Sequence, residues 1–176
     1  VAGVELALQI FNHIDPRLIV EVFIKDGAAV KYGDIVLTVS GSTHSILLAE
    51  RLVLNCMQRM SGIATKTNHV VALLGNYKTK LLDTRKTTPG LRYLEKWAVR
   101  IGGGVNHRIG LYDMILIKDN HVDYAGGIAN AINSANQYLK DKNKALDIEI
   151  EVRNLSELQE VLKNGNVNRI MLDNFT

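Results

Sequence analysis

After Lys78 the chain alternates between two hydrophobic periods, and that alternation leaves few folds open. Lys80–Thr84, Met114–Ile117, Asp147–Val152 and Arg169–Leu172 read as short strands. Between them, Leu91, Leu94, Ala98 and Ile101 recur at helical spacing, as do Ile128, Ile132, Ala135 and Leu139, and then Leu155, Leu158 and Leu162. Asn154 with Glu157 resembles a capping box, and Gly165 closes the helix that follows. Strands separated by helices must lie parallel, in an open doubly wound sheet or a barrel. The third strand favours the barrel. Ile148, Ile150 and Val152 share one side and meet the helices, so Asp147, Glu149 and Glu151 point toward the barrel axis or its mouth. A sheet buried on both faces would read as a nearly continuous apolar run. Closure needs roughly seven or eight strands, so this reading expects an incomplete, TIM-like α/β barrel whose C-terminal part lies outside the chain.

The first part of the chain follows another pattern. Residues 4–13 read as a helix with Val4, Leu6, Ala7, Ile10 and Phe11 on its apolar face. Residues 19–48 read as short strands punctuated by Asp26-Gly27, Gly33-Asp34 and Ser40-Gly41-Ser42. Residues 46–75 read as helical, with a break expected near Ser61-Gly62. The two architectures are expected to join near Ala49, giving residues 1–48 and 49–176 as the two domains.

The stretch from Leu82 to Gly90 carries the strongest chemical signal. An apolar run stops at Asp83, and Thr84, Arg85, Lys86 and Thr87 follow at once. Thr88 and Pro89 then read as the cap and first residue of a helix. From Arg85 to Lys118 the cations are Arg85, Lys86, Arg92, Lys96, Arg100, Arg108 and Lys118, opposed only by Glu95 and Asp113. This local balance of +5 exceeds the +3 of all 176 residues. Cations crowded at a strand-to-helix turn mark an anion site.

Bulk properties exclude other classes. An apolar fraction of 47% and a charged fraction of 22% are ordinary for a globular chain. No apolar run approaches the roughly 20 residues of a membrane span. The single cysteine, Cys56, permits no internal disulfide and fits a reducing, cytoplasmic compartment. It lies in a helical run and reads as a buried, inert thiol. The modest net charge favours small anionic ligands over bulk nucleic acid.

Barrel chemistry sits at the C-terminal ends of strands. The first strand delivers Asp83, Thr84, Arg85 and Lys86. The second is preceded by Gly102-Gly103-Gly104 and Asn106-His107-Arg108, and delivers Lys118, Asp119, Asn120 and His121. The third delivers Glu149 and Glu151, and the fourth Asp173 and Asn174. Arginine forks hold planar carboxylates or phosphates, and lysine adds a point charge. Glu151 and Asp173, ending adjacent strands, could share a hard cation such as magnesium, completed by water and substrate phosphate. Such a mixture suits a phosphate ester or pyrophosphate.

Each residue also has a plainer reading. Arg85 and Lys86 could be a solvated loop, Glu151 could pair with Arg153 or another surface cation, and Asp173 could cap a helix. His107 and His121 could be structural, as could His13, His44 and His69. The triple glycine could be a flexible connection, since its spacing is neither a dinucleotide fingerprint nor a Walker loop. The functional reading gains because the separate signals fall at one end of one predicted sheet.

These strings resemble the quinolinate phosphoribosyltransferase family. They are Glu50-Arg51-Leu52 through Leu54-Asn55, Ser61-Gly62-Ile63-Ala64-Thr65, Leu82 to Thr87, Asn106-His107-Arg108, Ile117 to His121, Glu149 to Val152, and Leu172 to Phe175. The resemblance implies an N-terminal α/β sandwich followed by an incomplete α/β barrel. It implies transfer of a phosphoribosyl group from phosphoribosyl pyrophosphate to quinolinate with loss of CO2, using Mg2+. Arg85, His107, Arg108 and Lys118 would hold the quinolinate carboxylates, with Thr84 beside them, and Lys86 would contact the phosphoribosyl substrate. Glu151 and Asp173 would face the ribose and the metal-bound pyrophosphate, with Lys118 as the third catalytic group. Arg51 would enter the neighbouring subunit's site, implying a homodimer or a dimer-based oligomer. Measured against the family pattern, the chain is expected to be truncated at both ends.

The rival readings are a related phosphoribosyltransferase for another aromatic acid, a non-catalytic nucleotide- or RNA-binding module, and an inactive remnant. Aromatic residues make up 6% of the chain, and none is interleaved with Arg85 and Lys86 to stack bases.

Overall fold

Helix–helix packing organises the first half of the chain and sheet–helix packing the second. The computed structural model describes residues 1–175; residues 1–109 form one compact unit and those from 110 onward a second.

In the first unit, α1 (Val4–Ile14) packs on α2 (Thr43–Leu73), which packs on α3 (Arg92–Ile101). A hairpin of β1 (Ile19–Val22) and β2 (Leu37–Ser40) pairs antiparallel, with Val20 opposite Val39. Ala49, Val53, Met60, Ala64 and Thr67 recur at helical spacing and form the buried stripe of α2. One end of that stripe joins Ala7 and Phe11 beneath the hairpin, and the other joins Ala2 and Ala98. The N-terminus of α2 is capped by Ser42, whose side chain accepts from the Ser45 N–H. Cys56 sits half-buried on α2, and burial pushes its thiol up, away from reactivity.

In the second unit, β3 (Ile115–Ile117), β4 (Ile148–Val152) and β5 (Arg169–Leu172) form a parallel sheet in that spatial order. After β3 come α4 (Asp119–Ala125) and α5 (Ile128–Asp141), and α6 (Leu155–Asn164) links β4 to β5. Ile148, Ile150 and Val152 lie buried with Ile132 and Val161. The acidic residues of β4 alternate onto the opposite side, as its pattern requires. Asn154 caps α6 by accepting from the Glu157 N–H at 2.9 Å. Glu157 does not complete a reciprocal box; its carboxylate accepts from the Arg153 N–H at 2.7 Å instead.

Several expectations need correction. The Lys80–Thr84 strand shrinks to one parallel bridge, Leu82 with Val105. Polar capture ends it: Asp83 is drawn into side-chain hydrogen bonds, and Thr84 Oγ1 accepts from the Lys86 N–H at 3.1 Å, turning the chain. No closed barrel forms among the described residues; the architecture is mixed α/β with small sheets. The helix expected to start at Pro89 starts at Arg92. Thr88 instead closes a turn, its carbonyl accepting from the Leu91 N–H at 3.0 Å. No break occurs at Ser61-Gly62, where α2 is continuous. Ser61 Oγ faces outward from the helix axis to accept from the Ala2 N–H at 2.9 Å. Helix α4 had no counterpart in the sequence reading; His121 fixes its start by accepting the Lys118 N–H on Nδ1 at 3.1 Å.

The triple glycine is a close contact and not a slack connection. A Cβ on Gly102 would lie 2.5 Å from the Ala64 carbonyl oxygen and 2.7 Å from Thr67 Cβ, both on α2. Gly103 has φ +91°, a left-handed backbone that disfavours side chains. The segment therefore seats the end of α3 against α2.

Candidate active site

In the first unit the site grows from the Leu82–Val105 bridge. The Val105 N–H donates to Leu81 O at 2.8 Å and the Asp83 N–H to Val105 O at 3.2 Å, so the two segments leave the bridge side by side. One continues into Thr84, Arg85 and Lys86, the other into Asn106, His107 and Arg108.

Asp83 ties the segments together. Its Oδ1 accepts from the His107 N–H at 2.8 Å and from the Lys96 ammonium, which also donates to His107 O at 3.0 Å. The Asn106 side-chain amide lies 2.9 Å from both Asp83 Oδ2 and Lys96 O, two acceptors that assign its nitrogen to this side as a donor to each. Lys96 and Asp83 side chains are 3% and 7% exposed, so this is a buried ion pair with its polar atoms occupied.

Helix α3 grips the turn at two more points. Arg92 donates from Nε to Thr87 Oγ1 and from Nη1 to Ile109 O, both at 3.2 Å. Glu95 accepts from Arg59 on α2 and, at 3.3 Å, from the Thr88 N–H. Burial pushes the Glu95 carboxyl up, but hydrogen bonds from Arg59 and Thr88 outweigh it and leave it below its ordinary value. The turn so held presents Arg85 half-buried and Lys86 exposed; Arg108 is buried and His107 half-buried, and both are engaged by neighbours. Arg51 lies exposed on α2, between the exposed Leu48 and Leu52.

In the second unit, strand register builds the site. Glu149 lies opposite Leu116 and Arg169, and Glu151 opposite Met171. Arg169 approaches Glu149 at 4.0 Å and Asp147 at 3.5 Å, so the beginning of the acidic face is neutralised within the sheet. At the other end, Lys118 Nζ stands 3.7 Å from Glu151 Oε1. The Asp173 N–H donates to Val152 O at 2.9 Å, continuing the ladder past β5. Asp173 directly follows β5, and its carboxylate accepts from the Asn174 side-chain amide at 3.2 Å. Of the plainer pairings open to Glu151, the one with another partly exposed cation, Lys118, forms, and the one with Arg153 does not. Arg153 turns to Glu157 and Asp123, and its hydrogen bond holds the Glu157 carboxyl low.

Glu151 and Asp173 fit a hard cation by donor chemistry. Two carboxylates that follow one another at the ends of adjacent strands could take magnesium, which needs few protein oxygens and keeps water and phosphate. Among the described residues no larger group of His, Cys, Asp and Glu gathers for a fully protein-made cage.

Lys96, Arg92 and Asn106 are the residues that motif reading left without a role. Their sequence signal was the charged face Arg92, Glu95, Lys96 on a helix directly after the cationic turn.

Comparison with known proteins places the chain among known families. The family model described as quinolinate phosphoribosyl transferase, N-terminal domain, matches residues 1–61, and the C-terminal domain matches residues 63–176. The chain is 53% identical over 179 residues to a protein of Arabidopsis thaliana named nicotinate-nucleotide pyrophosphorylase [carboxylating], chloroplastic, covering 99% of this chain and 51% of that protein. It is 47% identical to quinolinate phosphoribosyltransferase [decarboxylating] 2a, mitochondrial, of Nicotiana tabacum, covering 99% of this chain and 50% of that protein. Among solved structures, NadC from Streptococcus pyogenes superposes with a TM-score of 0.91 at 41% identity, over 99% of this chain and 61% of that one. The chain thus spans about half the length of the curated relatives it matches.

Proposed function

The chain belongs to the quinolinate phosphoribosyltransferase family, and from that premise we propose that the protein joins quinolinate to phosphoribosyl pyrophosphate, releasing pyrophosphate and CO2 and leaving nicotinate mononucleotide. The observation that carries this reading is the pairing of the Arg85-Lys86 turn with the His107-Arg108 segment through Asp83. Two cationic segments held at fixed separation suit a rigid ligand bearing two carboxylates.

The roles follow from charge. Arg85, His107 and Arg108 receive the quinolinate carboxylates, and Thr84 shapes the turn that aims Arg85. Lys118 supplies a further cation, and Lys86 meets the phosphoribosyl substrate. Glu151 and Asp173 stabilise the positive charge that grows on the ribose carbon, and they would also hold Mg2+, which when bound would supply positive charge toward the pyrophosphate. The pyridine nitrogen attacks that carbon and the bond to pyrophosphate breaks with its electron pair. The resulting pyridinium ring takes up the electrons as the adjacent carboxylate leaves as CO2, and the vacated carbon gains a proton. Attack by a ring nitrogen needs no general base, so the protein chiefly positions reactants and supplies charge.

The finer architecture belongs to this proposal: an N-terminal α/β sandwich followed by an incomplete α/β barrel. So does a dimer in which Arg51 reaches the neighbouring site, supported by the exposed leucines around it. A cytoplasmic location draws its support from the single cysteine, whereas the plant relatives carry chloroplastic and mitochondrial labels. Among the described residues no helix is long and apolar enough to cross a membrane.

The test is quinolinate-dependent release of pyrophosphate and CO2 by the intact protein with magnesium present. Equal or better turnover with nicotinate, which lacks the second carboxylate, would defeat the choice of substrate.

A further inference from the structure

Lys96 is the least exposed cation of the first unit's site, and its surroundings pose a question of design. A buried ion pair contributes little net stability compared with well-packed apolar residues of similar volume. What the pair offers instead is direction, because hydrogen bonds restrict angle as well as distance. The contacts of Lys96 and Asp83 all run to neighbouring points. Lys96 reaches Asp83 and His107 O, and Asp83 reaches the His107 N–H and the Asn106 amide. His107 directly precedes Arg108, and Asp83 lies two residues before Arg85. Arg92, one helical turn earlier, repeats the device by joining Thr87 to Ile109 O. One face of α3 thus touches both cationic segments, on either side of the charges they present.

We propose that Lys96 is a positioning residue: through Asp83 it locks the His107-Arg108 segment against the Arg85-Lys86 turn and so sets the separation of the cations that receive a planar dianion. This deepens the proposed function and depends on it. Lys96 is buried behind these segments and touches no substrate; it acts through the backbone it holds. A dianion gripped from two segments is sensitive to their spacing, and a displacement of about 1 Å can cost about a hundredfold in rate.

The test compares the intact wild-type protein with Lys96→Gln and with the double variant Lys96→Met, Asp83→Asn, which leaves no unpaired charge in the buried site. Calorimetric titration measures quinolinate and phosphoribosyl pyrophosphate separately, and steady-state kinetics measures KM for each. We expect quinolinate affinity to fall about tenfold or more in both variants while phosphoribosyl pyrophosphate affinity stays within about twofold. Circular dichroism is expected to show both variants folded. A lowered Tm with both affinities unchanged would make Lys96 merely structural and overturn the proposal, as would equal weakening of both ligands. Should Lys96→Gln fail to fold, the double variant decides by the same criteria. If the wild-type protein binds no quinolinate, the functional reading fails and takes this proposal with it. If wild type and variants bind it alike, only the positioning role is lost.

Discussion

The two units present their charges by different means. In the first, Arg85 and Arg108 sit on irregular segments whose course is fixed by a buried network reaching back to α3. In the second, Lys118, Glu151 and Asp173 stand at or just past strand ends, placed chiefly by the parallel ladder. The ion pairs differ accordingly: the Lys96 side chain is 3% exposed and that of Lys118 42%. Irregular backbone needs side-chain support to hold a geometry, whereas a parallel ladder supplies it through the main chain.

The largest test of this contrast is at the ligand itself. Arg108→Ala is expected to lower kcat/KM about a hundredfold or more, as loss of a charged, hydrogen-bonded contact does. Circular dichroism of that variant is expected to show folded protein. Near-normal turnover would remove Arg108 from the site.

The next pits the two lysines against each other. Lys96→Met strands a buried carboxylate and is expected to cost about 3–5 kcal/mol in urea unfolding. Lys118→Met breaks a half-exposed pair and is expected to cost under about 1 kcal/mol while still lowering turnover. Equal costs would erase the distinction between the units.

Gly102→Ala probes the seat of α3 on α2. Its Cβ would fall 2.5 Å from Ala64 O, so a loss of about 1–3 kcal/mol is expected. An unchanged urea midpoint would show that the contact yields freely.

Acid provides the smallest effect, with one carboxylate per unit. Glu95 and Glu157 both titrate below the ordinary 4.5 when folded, so the unfolded chain binds their protons first as pH falls. Their stabilisation is complete above about 4.5 and fades as pH drops through the lowered folded values. Thermal unfolding between about pH 6 and 3 is expected to fall less steeply in Glu95→Gln and Glu157→Gln than in wild type. A steeper fall in either variant would contradict the assigned hydrogen bonds.

Legibility in the sequence follows the same division. Strands β3 to β5 were readable because Ile148, Ile150 and Val152 alternate with acids, and period decides face. The cationic turn was readable as a local surplus of charge. The network behind it was not, since Lys96 lies 13 residues from Asp83 and Asn106 lies 23 from it. Nothing in local pattern announces such partners. Helix α4 was missed because Asp119-Asn120-His121 is polar and favours loops, and only His121's bond to the Lys118 N–H fixes its start. The strand at Lys80–Thr84 was overdrawn because pattern does not reveal how soon side chains capture the chain.

Helix α2 runs unbroken for 31 residues from Thr43 to Leu73, about 46 Å, and the matches to the two family domains change over inside it, between residues 61 and 63. A cut at that seam would sever a rod whose buried stripe, from Ala49 to Thr67, serves packing on both sides. Exchange of modules between relatives must therefore carry the entire helix with one partner. A chimaera joined at residue 62 inherits a mismatched stripe from two parents, and its failure to fold would say nothing about either parent's chemistry.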